Sequence, residues 1–519
     1  MSSYSDRLYF ELERLLYFGL RNQFFEMEDI DYIRNTLADI LHLELDNLQI
    51  NCEFPEESCE RATAILENMY YYHCKRELNY TLETKDTFIS KLMGTLVPRP
   101  SEVIRRFWDT ASMKGTEDAT YEFYLASLLS NYIRIEQIRD YESWTYETDY
   151  GEIKITINPS VSEYRENTRD LKCFREYPKC YICKENVGYS GDNGYPARHN
   201  HRIIPILLNQ EPFYFQFSPQ HYFSEHFVIF HRDHIPMEIS GDTFKEFMDF
   251  LALFPHYFIG ANADLPIVGG SILEHYHFQG GKGTFALNKA QVIDEYTHPD
   301  YPCTTAGIVK WPMSVIRIEG MDREELVDLA SWVLDKWRTF QDAKVGIFSS
   351  TSTEGKTGFH NTISPVARVG DNGKIVIDLI LRNNRTDNNH PHGIFHTQPR
   401  QHHIKKNVLG VIDALGIAVL PGKLKQDIDR IIDILTVRSC QFEDIEFNSS
   451  EDLLIHAQWI EELITKYKNI PCPAKPEVYV KQELCHKFIQ MLCDSNVFRF
   501  DQENRTPQQF MTHAGFQHL

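Results

Sequence analysis

The hydrophobic periodicity of the chain changes near residue 150, and this change restricts the fold more than any other feature. Before it, apolar residues recur every three or four positions, which predicts amphipathic helices over residues 1–145. Two such helical faces are Leu8, Leu12, Leu15, Leu16 and Gly19, and then Ile30, Ile33, Leu37, Ile40 and Leu41. After the change, Ile153, Ile155 and Ile157 alternate with polar residues, which predicts a half-buried strand. Helices and strands in separate stretches indicate the α+β class.

Further strands and helices follow the same reasoning. Residues 227–230 and 375–381 have the apolar patterns of strands, and residues 244–254 have that of a helix. Another helix should begin after Asp322, with Glu325 completing a capping box. The segment from Leu424 to the end is mostly helical and carries no motif that indicates a function.

Residues 266–283, PIVGGSILEHYHFQGGKG, form the stretch richest in reactive side chains. If it is extended, alternation places His275, His277 and Gln279 on one face and Tyr276 and Phe278 on the other. The simpler alternative is a core strand whose histidines are merely hydrogen-bonded. Two histidines and a glutamine in alternation, between pairs of glycines, favour a functional site.

Cys180 and Cys183 have the Cys-x-x-Cys spacing of a zinc knuckle. His234 and His275, each near the end of a predicted strand, are the best-placed residues to complete a tetrahedral site. A redox role is less favoured because no thioredoxin-like strand and helix surround the pair. The alternatives that stay open are a structural zinc and no metal at all, and a catalytic zinc is the least favoured.

Composition excludes several classes of protein. The net charge of −21 argues against a broad basic surface for nucleic acid, although a local cationic pocket is compatible with it. No apolar run reaches the roughly 18 to 20 residues that span a bilayer. The 11 irregularly spaced cysteines, with no signal peptide ahead of Tyr4, fit a reducing compartment. We therefore expect a cytoplasmic protein without nucleic-acid or membrane partners.

A second histidine cluster follows the first by more than one hundred residues. It reads His390-Pro-His392-Gly-Ile-Phe-His396, and like the first it comes after strand and helix patterns. The repetition suggests an internally duplicated α+β unit. With 519 residues, more than one core is expected. We predict a helical region at 1–145, two repeated units at 146–315 and 316–423, and a helical segment at 424–519.

Several motifs together resemble a known family. The runs NADLPIVGGSILEHYHFQGG, YPKCYICKENVG, RHNHRIIP, MGTLVPRPSEVIRRFW and HPHGIFH are similar to the longer bacterial type of galactose-1-phosphate uridylyltransferase. The resemblance extends from about residue 4 to beyond residue 420. It implies a histidine-triad fold, in which antiparallel sheets with helices are duplicated, here preceded by the N-terminal helical region.

The resemblance also implies roles for particular residues. The shorter type of the family carries His-Pro-His-Gly-Gln, with the second histidine as nucleophile and the glutamine stabilising the phosphoryl group. By that match His277 is the nucleophile and Gln279 its partner, and the chain departs from the motif at Tyr276 and Phe278. The family's zinc ligands correspond in order to Cys180, Cys183, His234 and His275.

The remaining matches concern the substrates. Asn262 and Ser271 resemble nucleotide contacts of the family, although Ser271 lies one residue further from the first histidine of the motif. His390-Pro-His392 is similar to the second, noncatalytic repeat. Lys406 follows it at the family's spacing for a residue near the sugar-phosphate site.

The implied reaction moves UMP from UDP-glucose to galactose-1-phosphate through a uridylyl-histidine and yields UDP-galactose and glucose-1-phosphate. A neutral imidazole suits this attack near pH 7, and the exchange needs neither a redox cofactor nor ATP. One alternative is a histidine-triad hydrolase or phosphorylase, which usually has a third histidine where Gln279 stands. Another is a noncatalytic nucleotide-binding protein. The identity of the metal and the oligomeric state stay open, a homodimer being one alternative.

Overall fold

The computed structural model describes most of the chain in twelve ranges. They are residues 4–44, 60–76, 84–139, 141–159, 176–192, 194–270, 272–353, 356–406, 408–436, 451–470, 475–499 and 505–519. The chain divides into two compact units. The first unit comprises Met1–Ile135, Phe174–His221 and Glu225–His234, and the second comprises Glu136–Cys173, Tyr222–Ser224 and Ile235–Leu519.

The first unit combines helices with an antiparallel meander. Its helices are Tyr4–Arg21, Ile30–Ile40, Thr63–Arg76, Lys85–Leu96, Pro100–Lys114 and Thr116–Leu129. Its strands Ile204–Leu208, Glu211–Phe217 and Phe227–His231 pair in chain order. Leu8, Leu12, Leu15 and Leu16 are fully buried in one apolar core, so the predicted helical face is confirmed.

The second unit contains a long run of antiparallel strands. In spatial order they are Gln517–His518, Val292–His298, Tyr301–Val309, Val315–Gly320, Ile375–Asn383, Asn361–Val369, Phe258–Gly260 and His277–Gly281. Ile375–Asn383 pairs on both sides within the sheet and is buried along its whole length, which means that both of its faces are covered. The alternating pattern of residues 375–381 therefore does not distinguish an exposed face from a buried one.

A separate three-stranded sheet orders Glu142–Thr148, Gly151–Asn158 and Ile417–Pro421. Ile153, Ile155 and Ile157 are buried, which confirms the predicted strand. Its hairpin partner starts at Glu142, ahead of the predicted boundary at 145, and alternates between half-buried and exposed residues. A short hairpin joins Ser350–Thr353 to Lys356–Phe359.

The second unit also contains helices, several of which pack on its strands. They are Gly241–Leu253, Ala286–Lys289, Arg323–Thr339, Val411–Ala414, Lys423–Thr436, Glu451–Leu454, Ala457–Asn469, Pro476–Asp494 and Arg505–His513, and the short helix Ile135–Arg139 begins at the boundary of the two units. Asp322 caps Arg323–Thr339 by accepting from the N–H groups of Glu324 and Glu325. A capping box would also have the Glu325 side chain accept from the backbone N–H of Asp322. The Glu325 carboxylate accepts from the N–H of Cys303 instead.

The α+β class, the antiparallel sheet and the N-terminal helices are confirmed. The C-terminal segment is mostly helical, as expected. The division at residues 145, 315 and 423 and the histidine-triad duplication stay predictions. None of the helices in the described ranges has the length and hydropathy needed to cross a membrane.

Candidate active site

His277 opens a strand, and His275 lies just before it. The strand covers His277–Gly281, so the predicted extension is confirmed for His277 and Gln279 and is wrong for His275, which lies in a bend. The chain is held there by backbone contacts. The N–H of Tyr276 donates to the carbonyl of Ile235 at 2.6 Å, and the N–H of His277 donates to the sulfur of Met237 at 3.2 Å.

The opposite face of this strand packs on helix Gly241–Leu253. Phe278 is fully buried and meets the ring of Phe247 edge-on, with centroids 5.1 Å apart. The hydroxyl of Tyr276 donates to Glu246 Oε2 at 2.6 Å and lies 2.8 Å from the hydroxyl of Thr243. Burial, followed by the Glu246 carboxylate, raises the pKa of Tyr276, which therefore remains a protonated donor. The face opposite the histidine is thus fixed by aromatic packing and a buried polar contact.

The imidazole of His277 is buried and held in one tautomer. Its Nδ1 lies 2.7 Å from the carbonyl oxygen of His275; because a carbonyl only accepts, Nδ1 carries the proton and Nε2 the lone pair. Burial lowers the pKa of His277 to about 4. At neutral pH the ring is therefore an uncharged base whose nucleophilic nitrogen is Nε2. Gln279, on the same face, is partly exposed.

The glycines near this strand allow close packing. A Cβ on Gly270 would lie 2.6 Å from the Asn262 amide nitrogen, and one on Gly269 would lie 2.4 Å from the carbonyl of Ala263. A Cβ on Gly281 would lie 2.4 Å from the ring of Phe223. Side chains are excluded at these positions because neighbouring atoms already fill the space.

The predicted substrate contacts lie in different surroundings. Asn262 is buried, and its amide oxygen accepts from the N–H of Val411 at 2.9 Å. Lys406 is exposed, and its charge contributes to lowering the pKa of His402, an effect that burial dominates. Ser271 lies outside the described residues. The roles of these side chains toward substrate stay predictions.

Arg382 was not identified from the sequence, although it is buried and contacts the glycine-rich loop at Val268. Its guanidinium donates to the carbonyl of Leu409 at 2.8 Å and to that of Val268 at 3.2 Å. It therefore ties the glycine-rich loop to the segment that follows Lys406. Glu246 was also missed, although a carboxylate among Thr243, Phe247 and Phe250 on an apolar helical face is a signal that the sequence contains.

Cys180, Cys183 and His234 form a candidate metal-binding cluster. The two sulfurs lie 3.4 Å apart, and Cys183 Sγ lies 3.2 Å from His234 Nδ1. The hydrogen bond to Cys183 and burial raise the pKa of Cys180. Ionising both cysteines at this distance would require a cation, and thiolate with imidazole is a donor set that suits zinc. His275 is also buried.

Two family models match the chain. The N-terminal domain of galactose-1-phosphate uridyl transferase matches residues 25–236, and the C-terminal domain of the same enzyme matches residues 246–432. The second histidine cluster, His390 to His396, falls within the second match. It lies in turns after strand Ile375–Asn383 rather than opening a strand.

Curated relatives match nearly the full length. The galactose-1-phosphate uridylyltransferase of Caldanaerobacter subterraneus subsp. tengcongensis is 43% identical, covering 98% of each chain. Those of Fusobacterium nucleatum subsp. nucleatum and Bacillus subtilis are each 39% identical, covering 97% and 95% of this chain and 98% and 95% of theirs. The solved yeast Ap4A phosphorylase Apa2 is similar at 10% identity and a TM-score of 0.34, covering 61% of this chain and 88% of its own, which is too remote for an inference.

Proposed function

The chain belongs to the galactose-1-phosphate uridylyltransferase family, and on this premise we propose that it moves UMP from UDP-glucose to galactose-1-phosphate with His277 as the nucleophile. It is an enzyme of galactose metabolism, a transferase acting on sugar nucleotides and sugar phosphates. The observation that carries the proposed role of His277 is the hydrogen bond between its Nδ1 and the carbonyl of His275.

In the first half-reaction, Nε2 of His277 attacks the α-phosphorus of UDP-glucose. A P–N bond forms, the P–O bond to glucose-1-phosphate breaks, and the electron pair leaves with the sugar phosphate. The attacked imidazole becomes positively charged, and its Nδ1–H points to a carbonyl oxygen that stabilises this charge. Because the pKa of His277 is lowered to about 4, the ring needs no base to activate it near pH 7.

In the second half-reaction, a phosphate oxygen of galactose-1-phosphate attacks the same phosphorus. The P–N bond breaks, neutral His277 is restored, and UDP-galactose leaves. Gln279, on the face of His277, would donate from its amide to the nonbridging oxygens, where charge accumulates in the transition state. Removing one such donor typically costs ~10²–10³ in rate. Ser271, Asn262 and Lys406 are proposed to contact the nucleotide and the sugar phosphate.

The proposed metal is a structural zinc held by Cys180, Cys183, His234 and His275. Cys180, Cys183 and His234 lie together in the first unit, and His275 is proposed as the fourth ligand because it corresponds in order to the family's fourth zinc ligand. Zinc there would hold the Cys-x-x-Cys turn against His234, and its contribution would be to folding. No step of the transfer depends on it.

The alternatives are weaker on this site. A histidine-triad hydrolase or phosphorylase would use the same covalent chemistry, but position 279 holds glutamine, which has no titratable group. A noncatalytic nucleotide-binding protein would not need a buried, oriented imidazole. The cytoplasmic location is also part of the proposal, and the irregular spacing of the 11 cysteines in the sequence supports it. The homodimer stays a prediction that light scattering can measure.

Mass spectrometry after incubation with UDP-glucose tests the covalent step. We expect an acid-labile uridylyl group on the peptide that contains His277, and parallel double-reciprocal lines in steady-state kinetics. His277→Asn should give no adduct. His392→Asn, at the second histidine of the other histidine cluster, is the matched control and should label as the wild type does. Intersecting lines together with an unmodified His277 would contradict the proposal.

A further inference from the structure

A cavity in the first unit is lined by three basic side chains. It has a volume of about 470 Å³ and is bordered by Lys91, His199, Arg202 and Thr95, with Gly94, Pro100, Val187 and Gly188. This volume lies in the range of small-molecule sites. His277 and Gln279 belong to the second unit, so the cavity is built from other residues than the nucleophile and its partner.

Arg202 is held rigidly on the wall of this cavity. Its guanidinium donates to the backbone carbonyls of Pro98 at 2.7 Å, His199 and His201 at 2.8 Å, and Val97 at 3.1 Å. A guanidinium has one N–H more than these bonds use. No carboxylate in the described ranges pairs with it, and carbonyl oxygens do not neutralise its charge.

His199 is fixed against the helix that carries Lys91. Its N–H donates to the hydroxyl of Ser90 at 3.1 Å. A Cβ on Gly94 would lie 2.4 Å from the Cβ of His199, so only glycine admits the ring here. Nδ1 of His199 is buried and has no hydrogen-bond partner within the described part of the chain. A buried polar atom left in this state costs free energy unless a ligand or water satisfies it.

The charges around the cavity are of one sign. Burial lowers the pKa of His199 first, and the charges of Lys91 and Arg202 lower it further. Burial also lowers the pKa of Arg202 to about 10, where it still carries its charge at neutral pH. In a chain of net charge −21, the residues that line this cavity include no acidic side chain, and its partly buried cations favour the binding of an anion.

We propose that this cavity binds the phosphate group of a small phosphate monoester, with Lys91, Arg202 and the ring of His199 as its contacts. Lysine supplies a mobile point charge, and arginine supplies a fixed donor. The cavity exceeds the size of inorganic phosphate and has room for an attached sugar. The proposal goes beyond uridylyl transfer and stands whether or not His277 is the nucleophile.

Protection of Lys91 from acylation tests the site directly. The intact protein is treated with an amine-acylating reagent, and the modification of each lysine is measured by peptide mass spectrometry. We expect inorganic phosphate and galactose-1-phosphate each to slow acylation of Lys91 at least about threefold, relative to potassium chloride of equal ionic strength. Lys85, on the same helix and exposed, is the matched control and should react at an unchanged rate.

Substitution distinguishes phosphate bound in this cavity from phosphate bound elsewhere on the protein. Lys91→Met keeps the aliphatic stem and removes the charge. It should raise the apparent Kd for phosphate by about tenfold, the loss typical of one charge-assisted hydrogen bond. The Kd is measured from the rise in Tm as phosphate is added. Lys85→Met should leave that Kd as in the wild type. A lower protective concentration for galactose-1-phosphate than for phosphate would support contact with the sugar as well. Equal acylation of Lys91 in all salts, or an unchanged Kd in Lys91→Met, would overturn the proposal.

Discussion

Gln279 shares a strand face with His277. It stands where a histidine-triad hydrolase usually has a third histidine, and it differs from that histidine in one physical property. Its amide donates hydrogen bonds but has no usable pKa, so it cannot take a proton from water. Water is far more concentrated than galactose-1-phosphate, and the proposed covalent intermediate would have to outlast the exchange of sugar phosphates. Withholding general-base assistance denies water the ~10²–10⁴-fold acceleration that such catalysis gives.

Gln279→His should therefore increase hydrolysis. The new imidazole would lie on the face of His277 and could deprotonate an attacking water. We expect the ratio of UMP to UDP-galactose to rise at fixed substrate concentrations, whatever the transfer rate. Gln279→Asn, an amide with a shorter side chain, is the control and should not raise that ratio. An unchanged ratio in Gln279→His would mean that Gln279 serves geometry or charge alone.

His201 should make the first unit sensitive to acid. Burial, followed by the charge of Arg198, lowers its pKa from 6.5 to about 3, while Nε2 lies 2.9 Å from the amide oxygen of Gln216. Below pH 6.5 the unfolded chain binds a proton that the folded chain does not. The free energy of unfolding therefore falls as the pH drops from 6.5 toward 3, by at most about 1.4 kcal/mol per pH unit from this group.

The test compares denaturant unfolding at about pH 7.5 and about pH 5. His201→Gln keeps an amide donor near Gln216 but cannot titrate, so it should lose less stability between the two conditions than the wild type, by roughly 2 kcal/mol. Exposed His513 offers the control, and His513→Gln should lose as much as the wild type. Identical losses in the wild type and His201→Gln would show that His201 is protonated equally in both states.

At the scale of elements, the histidine strand depends on its contact with helix Gly241–Leu253. The hydroxyl of Tyr276 joins Glu246 and Thr243 in a buried network, and Tyr276 immediately precedes His277 in the chain. Tyrosine here occupies the position of a proline in the shorter family type. The hydrogen bonds of Tyr276 thus restrict the strand where the proline ring would restrict the backbone.

Tyr276→Phe should lower the free energy of unfolding by about 1–3 kcal/mol, because a buried carboxylate loses a donor. Urea unfolding measures this change. Tyr296 provides a matched control, since it is buried and its hydroxyl has no hydrogen-bond partner in the described ranges. Tyr296→Phe should therefore be neutral or slightly stabilising. Equal effects of the two substitutions would show that the network of Tyr276 contributes no net stability.

At the scale of the whole molecule, the proposed zinc would couple metal binding to folding. Cys180→Ser should lower the Tm markedly while the transfer rate per folded molecule changes less, because the zinc is proposed to be structural. Cys303→Ser, at an exposed free thiol, is the control and should keep the wild-type Tm. Metal analysis should find zinc in a one-to-one ratio to the wild-type protein. Protein purified without stoichiometric zinc or iron would refute the site.

The sequence by itself determined what local physics controls. Periodicity identified the helix of Leu8 to Leu16 and the strand of Ile153 to Ile157, because burying one face dictates the spacing of apolar residues. The motif around His277 and Gln279 identified the family, since the chemistry restricts the residues and their spacing. Cys180 and Cys183 were recognisable for the same reason.

Only the tertiary structure decided which distant groups support those residues. Position 246 is a buried partner of Tyr276 because a particular helix packs on a particular strand, and spacing along the chain does not encode that choice. The tautomer of His277 depends on a bend at His275, where strand periodicity predicted extension. Arg202 and Lys91 line one cavity although they are far apart in sequence. Long-range contacts depend on how elements dock, and a linear pattern constrains docking only weakly.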